Sequence, residues 1–343
     1  MNFRSDNEGP VADAILQAIV SANAGSAHGY AEDHYSAQLN AVFSELFATD
    51  TTVLPMATGT AGNAIALAEM CPPWGSVVCH QHAHINEDEC GAPEFYNPGC
   101  KLAVLGGDAG RIDAGELACW LAGQGSHGVH QNLPAVLSLT QATEAGTVYT
   151  PDQISTLTDT ARAHDMHVHM DGARFANAVT SLQISPADLT WRAGVDVLSF
   201  GASKNGCMAA EALLVFGHPQ WLEGMQRRRK RAGHLLSKMR YVSAQLLAYV
   251  RDDLWLQLAH GANAHAAKFA AAIASHPSAE LLWPVQANEV FLRWPPEQLD
   301  QLSAAGFAFH RWPGGNDRAR FVFACTTPEH EVDVLCQALA GIE

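Results

Sequence analysis

The chain has 343 residues and a formal net charge of −15, from 20 Lys and Arg against 35 Asp and Glu. This acidic balance argues against nucleic acid and anionic membranes as partners, while the length allows a large buried core. Charged residues are only 16% of the chain, which indicates some surface buried between subunits. Its apolar runs are strand length, and the N-terminus lacks a signal-peptide pattern, so we expect a cytoplasmic protein.

Apolar strand-like runs alternate with helical patterns from residue 51 to residue 217. The strands are short continuous apolar segments, which is typical of a parallel sheet covered by helices on both faces. A Gly/Ala-rich helix is predicted over 59–70, and a helix with proline in its first turn over 151–165. The predicted strands are 51–58, 76–80, 101–106, 134–140, 166–171, 196–201 and 211–217.

The pattern changes in the last third of the chain. One long helical stretch, basic at its start, is predicted from Gln226 to about His260. The elements predicted after it are alternating strands at 289–294, 306–312 and 319–326 and a closing helix at 328–340. This change of period predicts a large α/β domain over 1–250 and a small α+β domain over 251–343, with an N-terminal arm, 1–15, that contacts the small domain.

Two motifs carry the strongest chemical signal. VHMDGARFANA (168–178) places Asp171 at the end of an apolar strand, and SFGASKNG (199–206) places Lys204 at the end of another. Because ligands of parallel sheets bind beyond the carboxyl ends of the strands, we expect both side chains at one edge. Pyridoxal phosphate requires a lysine that carries it as a Schiff base and a carboxylate that keeps its pyridine nitrogen protonated. The pair therefore predicts a pyridoxal-phosphate enzyme.

The turn at 58–60 is a candidate phosphate site. Gly59 and Thr60 lie where a predicted strand turns into a helix, so that backbone N–H groups, hydroxyls and the helix dipole can hold a phosphate. An ordinary N-capped turn explains the same residues. The segment has neither the Walker-loop lysine nor the GxGxxG spacing.

Two further side chains lie just beyond predicted strands. His84 can stack on the pyridine ring and act as a base, with a polar loop histidine as the alternative. Arg174 lies three residues after Asp171, so a helical turn would point both side chains into one cleft; a structural ion pair is the alternative.

Three other features were weighed for metal, disulfide or nucleic-acid binding. HQHAH (80–84) has no carboxylate or cysteine at a convincing second-ligand spacing, so we predict no metal site. The eight cysteines form no CxxC pair and are expected to be reduced. RRRKR (227–231) is expected to be a solvated or intersubunit helix face, from which one arginine can reach a phosphate.

These motifs belong to an ordered set of segments that resembles the low-specificity L-threonine aldolases, which are pyridoxal-phosphate lyases of the aspartate-aminotransferase-like fold, fold type I. The resemblance covers nearly the whole chain, and the ordered set is far more specific than any one segment. The segments are FRSDN (3–7), HGYAED (28–33), TGTAGN (58–63), AHINEDECGA (83–92), MDGARFANA (170–178), SFGASKNG (199–206), RKRAGHLLSKMR (229–240) and ARFV (319–322).

The resemblance implies a cofactor role for residues that match the family's motifs. Lys204 matches the Schiff-base lysine, Asp171 the pyridinium partner and His84 the histidine stacked on the ring. The other residues implied to contact the cofactor are Gly59 and Thr60 in the phosphate turn, Ser203 near the phosphate, Arg174, and Arg231 from a partner subunit.

The resemblance also implies substrate contacts. His130 matches a second histidine near the substrate hydroxyl, so that His84, His130 or a water can act as the base. Ser5 and Arg320 match groups that bind the amino-acid carboxylate, where Arg174 can assist. Tyr30 matches a tyrosine donated by the partner subunit, which implies a homodimer or homotetramer with shared sites.

The implied activity is that of an aldehyde-lyase, which cleaves L-threonine, L-allo-threonine and related β-hydroxy-α-amino acids to glycine and an aldehyde. Three departures leave the substrate's side chain and stereochemistry open. SKNGCMAAEALL follows the lysine in place of SKGLGAPVGS, TQATE (140–144) replaces ENTHN, and a family histidine is missing near Ala324. A phenylserine aldolase or a β-eliminating lyase is therefore the alternative. A non-catalytic nucleotide-binding α/β protein is the alternative from another class.

Overall fold

Eleven strands in two sheets organise residues 1–342, which the computed structural model describes. The strands are β1 Thr51–Met56, β2 Gly75–His80, β3 Lys101–Leu105, β4 Leu133–Thr140, β5 His167–Gly172, β6 Val197–Gly201, β7 Glu211–Phe216, β8 Glu280–Leu281, β9 Glu289–Arg293, β10 His310–Arg311 and β11 Arg318–Val322.

Thirteen α-helices accompany these strands in the described residues. They are α1 Asp13–Ala22, α2 His34–Phe47, α3 Gly59–Met70, α4 His84–Glu87, α5 Ala92–Tyr96, α6 Ala114–Ala122, α7 Pro151–Arg162, α8 Phe175–Leu182, α9 Leu222–Arg231, α10 Arg240–Val250, α11 Leu254–Ala274, α12 Pro296–Ala304 and α13 Glu329–Ala340. Within residues 1–342, none of the helices combines the length and the apolar character that a bilayer crossing requires.

The larger sheet has the strand order β1-β7-β6-β5-β4-β2-β3. In this sheet only β7 is antiparallel to its neighbours, and the other six strands are parallel to one another. Every residue of β2 and of β6 is buried, as expected for strands covered on both faces. Apolar clusters lie on the two faces, one built with α2, α7, α8 and α10 and the other with α3 and α9. The predicted mostly parallel sheet between helices is confirmed.

The parallel arrangement fixes where the functional side chains meet. Because β1, β2, β4, β5 and β6 are parallel, their carboxyl ends share one edge of the sheet. The turn into α3 follows β1, and α4 begins at His84, shortly after β2. Asp171 lies at the end of β5, and Lys204 lies in a short 3-10 helix, Ser203–Asn205, directly after β6.

The smaller sheet has the order β10-β11-β9-β8 and is antiparallel throughout. The N-terminal segment joins it, because Phe3 donates its N–H to Ala308 O (2.7 Å) and accepts from Val322 N (2.8 Å). The Phe3 ring is fully buried with the apolar residues of this sheet. The division of the chain at 250/251 stays a prediction.

The long helix predicted from Gln226 to His260 is wrong. The chain forms α9, α10 and the start of α11 instead, with breaks between them. Gly233 (φ +81°) lies in the first break, and Asp252 (φ 51°) and Asp253 (φ 56°) lie in the second. A left-handed backbone stops an α-helix, and the helical periodicity of the side chains does not reveal it. The strand predicted at 306–312 is likewise reduced to β10.

Candidate active site

A cavity of about 390 Å³ opens at the carboxyl edge of the parallel strands. Seven residues predicted from the sequence line it: Gly59, Thr60, His84, Asp171, Arg174, Ser203 and Lys204. Polar residues to which the sequence analysis gave no role also line it, among them Asn63, Glu89, Glu144 and Glu211. The cavity is therefore surrounded by titratable groups from five different strand ends.

Lys204 is the one lysine that lines this cavity in the described part of the chain. Its ammonium group forms no hydrogen bond or ion pair with any of residues 1–342. Glu211 lies nearby and accepts hydrogen bonds from Ala202 N and Ser203 N, both at 3.3 Å. Burial raises the pKa of Glu211 to about 7. The lysine amine is thus exposed to the cavity and available for a covalent bond.

Asp171 is buried and held by two donors. Ala173 N donates to Oδ1 (3.0 Å), and Asn63 Nδ2 donates to Oδ2 (2.8 Å). Two hydrogen bonds from different elements fix the plane of the carboxylate. Asp171 therefore presents a carboxylate of fixed orientation at the cavity wall.

The turn at the start of α3 presents free donors to the same cavity. Thr58 caps the helix, since its side chain accepts from Ala61 N. The N–H groups of Gly59 and Thr60 donate to no acceptor within residues 1–342. A Cβ placed on Gly59 would meet no atom within 4 Å, so the space before the turn is open. An unpaired helix N-terminus facing open space fits a phosphate group.

His84 is held by two buried carboxylates. Its Nδ1 lies 2.9 Å from Glu89 Oε1, and its backbone N donates to Glu144 Oε1 (2.8 Å). The hydrogen bond to Glu89 raises the pKa of His84, against the opposing effect of burial. The hydrogen bond between Nδ1 and Glu89 therefore fixes the orientation of the His84 ring.

Glu144 is the last residue of TQATE, the segment that departs from the family pattern. Its Oε1 also accepts from Thr140 Oγ1 (2.9 Å), while its Oε2 is buried and has no partner in the described chain. Burial raises the pKa of Glu144 to about 7. The departure thus places a carboxyl group with a raised pKa at the cavity wall.

Arg174 forms a buried ion pair rather than a free guanidinium. Its Nε and Nη2 donate to the two oxygens of Asp6 (2.8 and 3.1 Å), and its Nη1 lies 3.2 Å from Glu289 Oε2. Only 12% of the Arg174 side chain is exposed. Arg174 thus lines the cavity and forms a structural ion pair, but its partners are Asp6 and Glu289 and not Asp171, the carboxylate three residues before it.

Asp6→Ala is expected to lower the free energy of unfolding by about 3 kcal/mol at pH 7, because a buried guanidinium loses one countercharge. Burial would raise the Asp6 pKa, but Arg174 and Lys204 hold it below its usual value of 3.8. The stabilisation is therefore present above pH 4 and lost as the pH falls further. Urea unfolding at pH 7 and pH 3 tests this, with exposed Asp159→Ala as the control; equal effects of the two substitutions would contradict it.

His130 is not brought into this cavity within one chain. It ends an exposed 3-10 helix, Gly128–His130, shortly before β4 begins. The amino end of a parallel strand lies at the opposite edge from its carboxyl end, so the whole of β4 separates His130 from Thr140. The strand predicted at 134–140 already placed His130 before the amino end of a strand, so the role implied by the resemblance is not met within one chain.

Tyr30 and Arg231 also lie outside the cavity. Tyr30 is 51% exposed, and Lys230 Nζ lies 4.2 Å from the centroid of its ring. Arg231 is exposed at the end of α9. The two residues implied to act in a partner's site are therefore on the surface of this chain.

Ser5 and Arg320 do not line the cavity either. Ser5 caps the short helix Asp6–Glu8, with its Oγ accepting from Asn7 N (3.1 Å). Arg320 Nη1 lies 3.8 Å from Glu289 Oε1, and its guanidinium lies 5.1 Å from the Trp312 ring centroid. Arg320 thus shares a carboxylate with Arg174, but is more weakly paired.

The family described as beta-eliminating lyase matches residues 2–294. The low specificity L-threonine aldolase of Pseudomonas aeruginosa is 39% identical, over 98% of this chain and 96% of that protein. The protein of the same name from a Pseudomonas species is 37% identical, over 99% and 97%.

Solved structures agree with these sequence matches. The threonine aldolase of Leishmania major superposes with a TM-score of 0.92 at 25% identity, covering 99% of this chain and 98% of that one. Catharanthus roseus tryptophan decarboxylase, at 15% identity and a TM-score of 0.75, shares the fold alone. The chain belongs to the beta-eliminating lyase family and, within it, to the low-specificity L-threonine aldolases.

Proposed function

We propose that this protein is a pyridoxal-phosphate-dependent aldolase, which cleaves L-threonine, L-allo-threonine and related β-hydroxy-α-amino acids to glycine and an aldehyde. The observation that supports it most is one cavity that holds an unpaired lysine, an oriented carboxylate and an open helix N-terminus. The names of the two Pseudomonas relatives and of the Leishmania major structure support the same reaction.

The residues of the cavity fit pyridoxal 5′-phosphate. Lys204 Nζ would hold its aldehyde carbon, Asp171 its ring nitrogen, and the N–H groups of Gly59 and Thr60 its phosphate. When bound, the cofactor supplies an electron sink for the bond broken at Cα. The chain supplies the binding, the orientation and the proton transfers.

His84 is the proposed base. Since Nδ1 faces Glu89, Nε2 is the ring nitrogen left to receive the β-hydroxyl proton as the Cα–Cβ bond breaks. Arg320 is the proposed carboxylate ligand, because its Nε has no partner in residues 1–342 and its one carboxylate contact is long. Arg174, which donates to Asp6 and is ion-paired with Glu289, would stabilise this wall of the site.

The active sites are proposed to be shared between subunits of a homodimer or homotetramer. Tyr30 and Arg231, implied to act in a partner's site, are both on the surface, where a neighbouring chain could receive them. Light scattering should give a multiple of the 36.7 kDa chain mass, and a monomer would contradict the proposal. The cytoplasmic location stays a prediction.

Aldehyde release tests the activity directly. The substrates are the four threonine stereoisomers and phenylserine, and pyruvate formation from serine is assayed in parallel. Aldehyde from the L isomers, with little from the D isomers, is the expected result. Pyruvate without aldehyde would support a β-eliminating lyase, and a strong preference for phenylserine would support a phenylserine aldolase.

A further inference from the structure

A continuous chain of hydrogen bonds joins the proposed base to the proposed partner of the ring nitrogen. His84 Nδ1 lies 2.9 Å from Glu89 Oε1, and Asn63 Nδ2 donates to that same oxygen at 2.9 Å. Asn63 Nδ2 also donates to Asp171 Oδ2 at 2.8 Å. Asn63, Glu89 and Asp171 are each 5% exposed or less. The cavity wall therefore contains four side chains joined by three hydrogen bonds.

The chemistry of the side-chain groups determines which atom donates in each of these hydrogen bonds. An amide nitrogen can only donate, so Asn63 Nδ2 serves both carboxylates at once. Burial raises the pKa of Glu89, and the hydrogen bonds from His84 and Asn63 oppose this effect. When Glu89 is ionised, its Oε1 can only accept, so the imidazole nitrogen facing it carries a proton. His84 is held as the Nδ1–H tautomer, which leaves a lone pair on Nε2. One possible metal-ligand atom from each of His84, Glu89 and Asp171 lies within 4.8 Å of the other two. The Asn63 amide, however, already bridges the two carboxylates by hydrogen bonds.

Burial gives Glu89 an electrostatic role as well. Its side chain is fully buried, whereas 37% of the His84 side chain is exposed. A carboxylate in a low-dielectric site interacts with a neighbouring imidazolium more strongly than one in water does. Glu89 therefore opposes loss of the proton that His84 gains during turnover.

We propose that Glu89 is a positioning residue, which fixes the Nδ1–H tautomer of His84 and stabilises the imidazolium formed when Nε2 takes the β-hydroxyl proton. This inference rests on the proposed function. The substrate O–H bond breaks, and its electron pair forms the C=O bond of the aldehyde as the Cα–Cβ bond breaks and its pair stays with Cα. The proton then resides on Nε2 beside the Glu89 charge. Glu89 itself touches neither the substrate nor the cofactor in this account.

The chain offers a matched control for this pair. His82 Nδ1 lies 3.4 Å from Glu87 Oε1, with the same five-residue spacing, but both side chains are at least 50% exposed. Glu87→Gln therefore removes the same charge from the same type of pair, outside the cavity. Glu89→Gln removes the charge and keeps the shape, while Glu89→Asp keeps the charge and withdraws it by one methylene.

Deuterium exchange at the imidazole Cε1 of His84, followed by peptide mass spectrometry over a pH series, reports its protonation without any turnover. In the purified protein, Glu89→Gln should lower the His84 midpoint, because the imidazolium loses its countercharge. In Glu89→Asp the His84 midpoint should lie between those of the wild type and Glu89→Gln. In Glu87→Gln the His84 midpoint should equal that of the wild type. An unchanged His84 midpoint in Glu89→Gln would overturn the proposal.

Kinetics supply the second measurement. Glu89→Gln should reduce kcat by about 10- to 100-fold with KM changed less than about threefold, and shift the acid limb of the kcat profile to lower pH. Glu89→Asp should give an intermediate kcat, which keeps the test valid if Glu89→Gln fails to fold. Wild-type kcat in both variants would overturn the proposal. If the unmodified enzyme releases no aldehyde, the proposed function fails, while the exchange measurement still decides whether Glu89 controls His84.

Discussion

Lys204→Ala should lose the visible absorption band of the bound cofactor and reduce aldehyde release by about 1,000-fold or more. Within the described residues, Lys204 is the one lysine that lines the cavity, and its amine has no competing partner there. No other side chain of the cavity can therefore hold the aldehyde carbon covalently. Absorption spectroscopy with added pyridoxal phosphate, together with steady-state kinetics, measures both effects.

The matched control is Lys101→Ala, since Lys101 is exposed at the start of β3, on the edge strand of the sheet. This variant should keep the absorption band and its activity. If Lys204→Ala keeps the band and turns over like Lys101→Ala, the covalent role belongs to another residue.

Asp171→Asn should keep the absorption band and lose about 100- to 1,000-fold in kcat. Asparagine preserves the shape of the side chain but removes the charge that holds the ring nitrogen protonated, so that the ring accepts electrons less well. Asn63 would then face an amide instead of a carboxylate, although the cavity wall keeps its packing. The measurement is cofactor affinity and kcat in parallel.

Asp159→Asn is the control for this substitution, because Asp159 is exposed on α7 and does not line the cavity. It should alter neither cofactor affinity nor kcat. A kcat of Asp171→Asn within about threefold of the wild-type value would rule out the electron-sink role of Asp171.

The large sheet could be predicted from the sequence because its strands are buried on both faces. Buried parallel strands appear as continuous apolar runs, and the predicted strand 76–80 differs from β2 by one residue. The break at Gly233 and the left-handed residues Asp252 and Asp253 could not be predicted, since helical periodicity describes side-chain faces and not backbone φ. β10 is short for a similar reason, since the alternation in GFAFHRW continues beyond the paired residues.

The candidate site could be predicted where a residue lies at the end of a buried strand or within three residues after it. Asp171 and Lys204 are such residues, and the structure places both on one cavity. Glu89 and Asn63 were missed, although both lie in segments that carry the family resemblance, because their roles depend on contacts between separate strand ends. His130 shows the converse case, since it precedes the strand predicted at 134–140, and this order, and not the motif match, indicates its edge of the sheet.

The compensation of Arg174 was also beyond sequence reasoning. Its partners Asp6 and Glu289 lie 168 residues before it and 115 residues after it. Ion pairs between residues so far apart in the chain leave no periodic signal in the sequence. Only the structure therefore shows which N–H groups of Arg174 are already paired. Arg320 lies outside the cavity lining, but its Nε has no partner in residues 1–342, its contact with Glu289 is 3.8 Å and its Nη2 donates to Arg4 O at 3.4 Å, so it keeps the role of proposed carboxylate ligand.

The attachment site of the cofactor tests the central claim most directly. Borohydride reduction of the purified protein loaded with pyridoxal phosphate fixes the cofactor to the lysine that carries it, and peptide mass spectrometry then identifies that lysine. We expect the added mass on the peptide that contains Lys204, and none in Lys204→Ala. The added mass on a different lysine, or on none, would contradict the account.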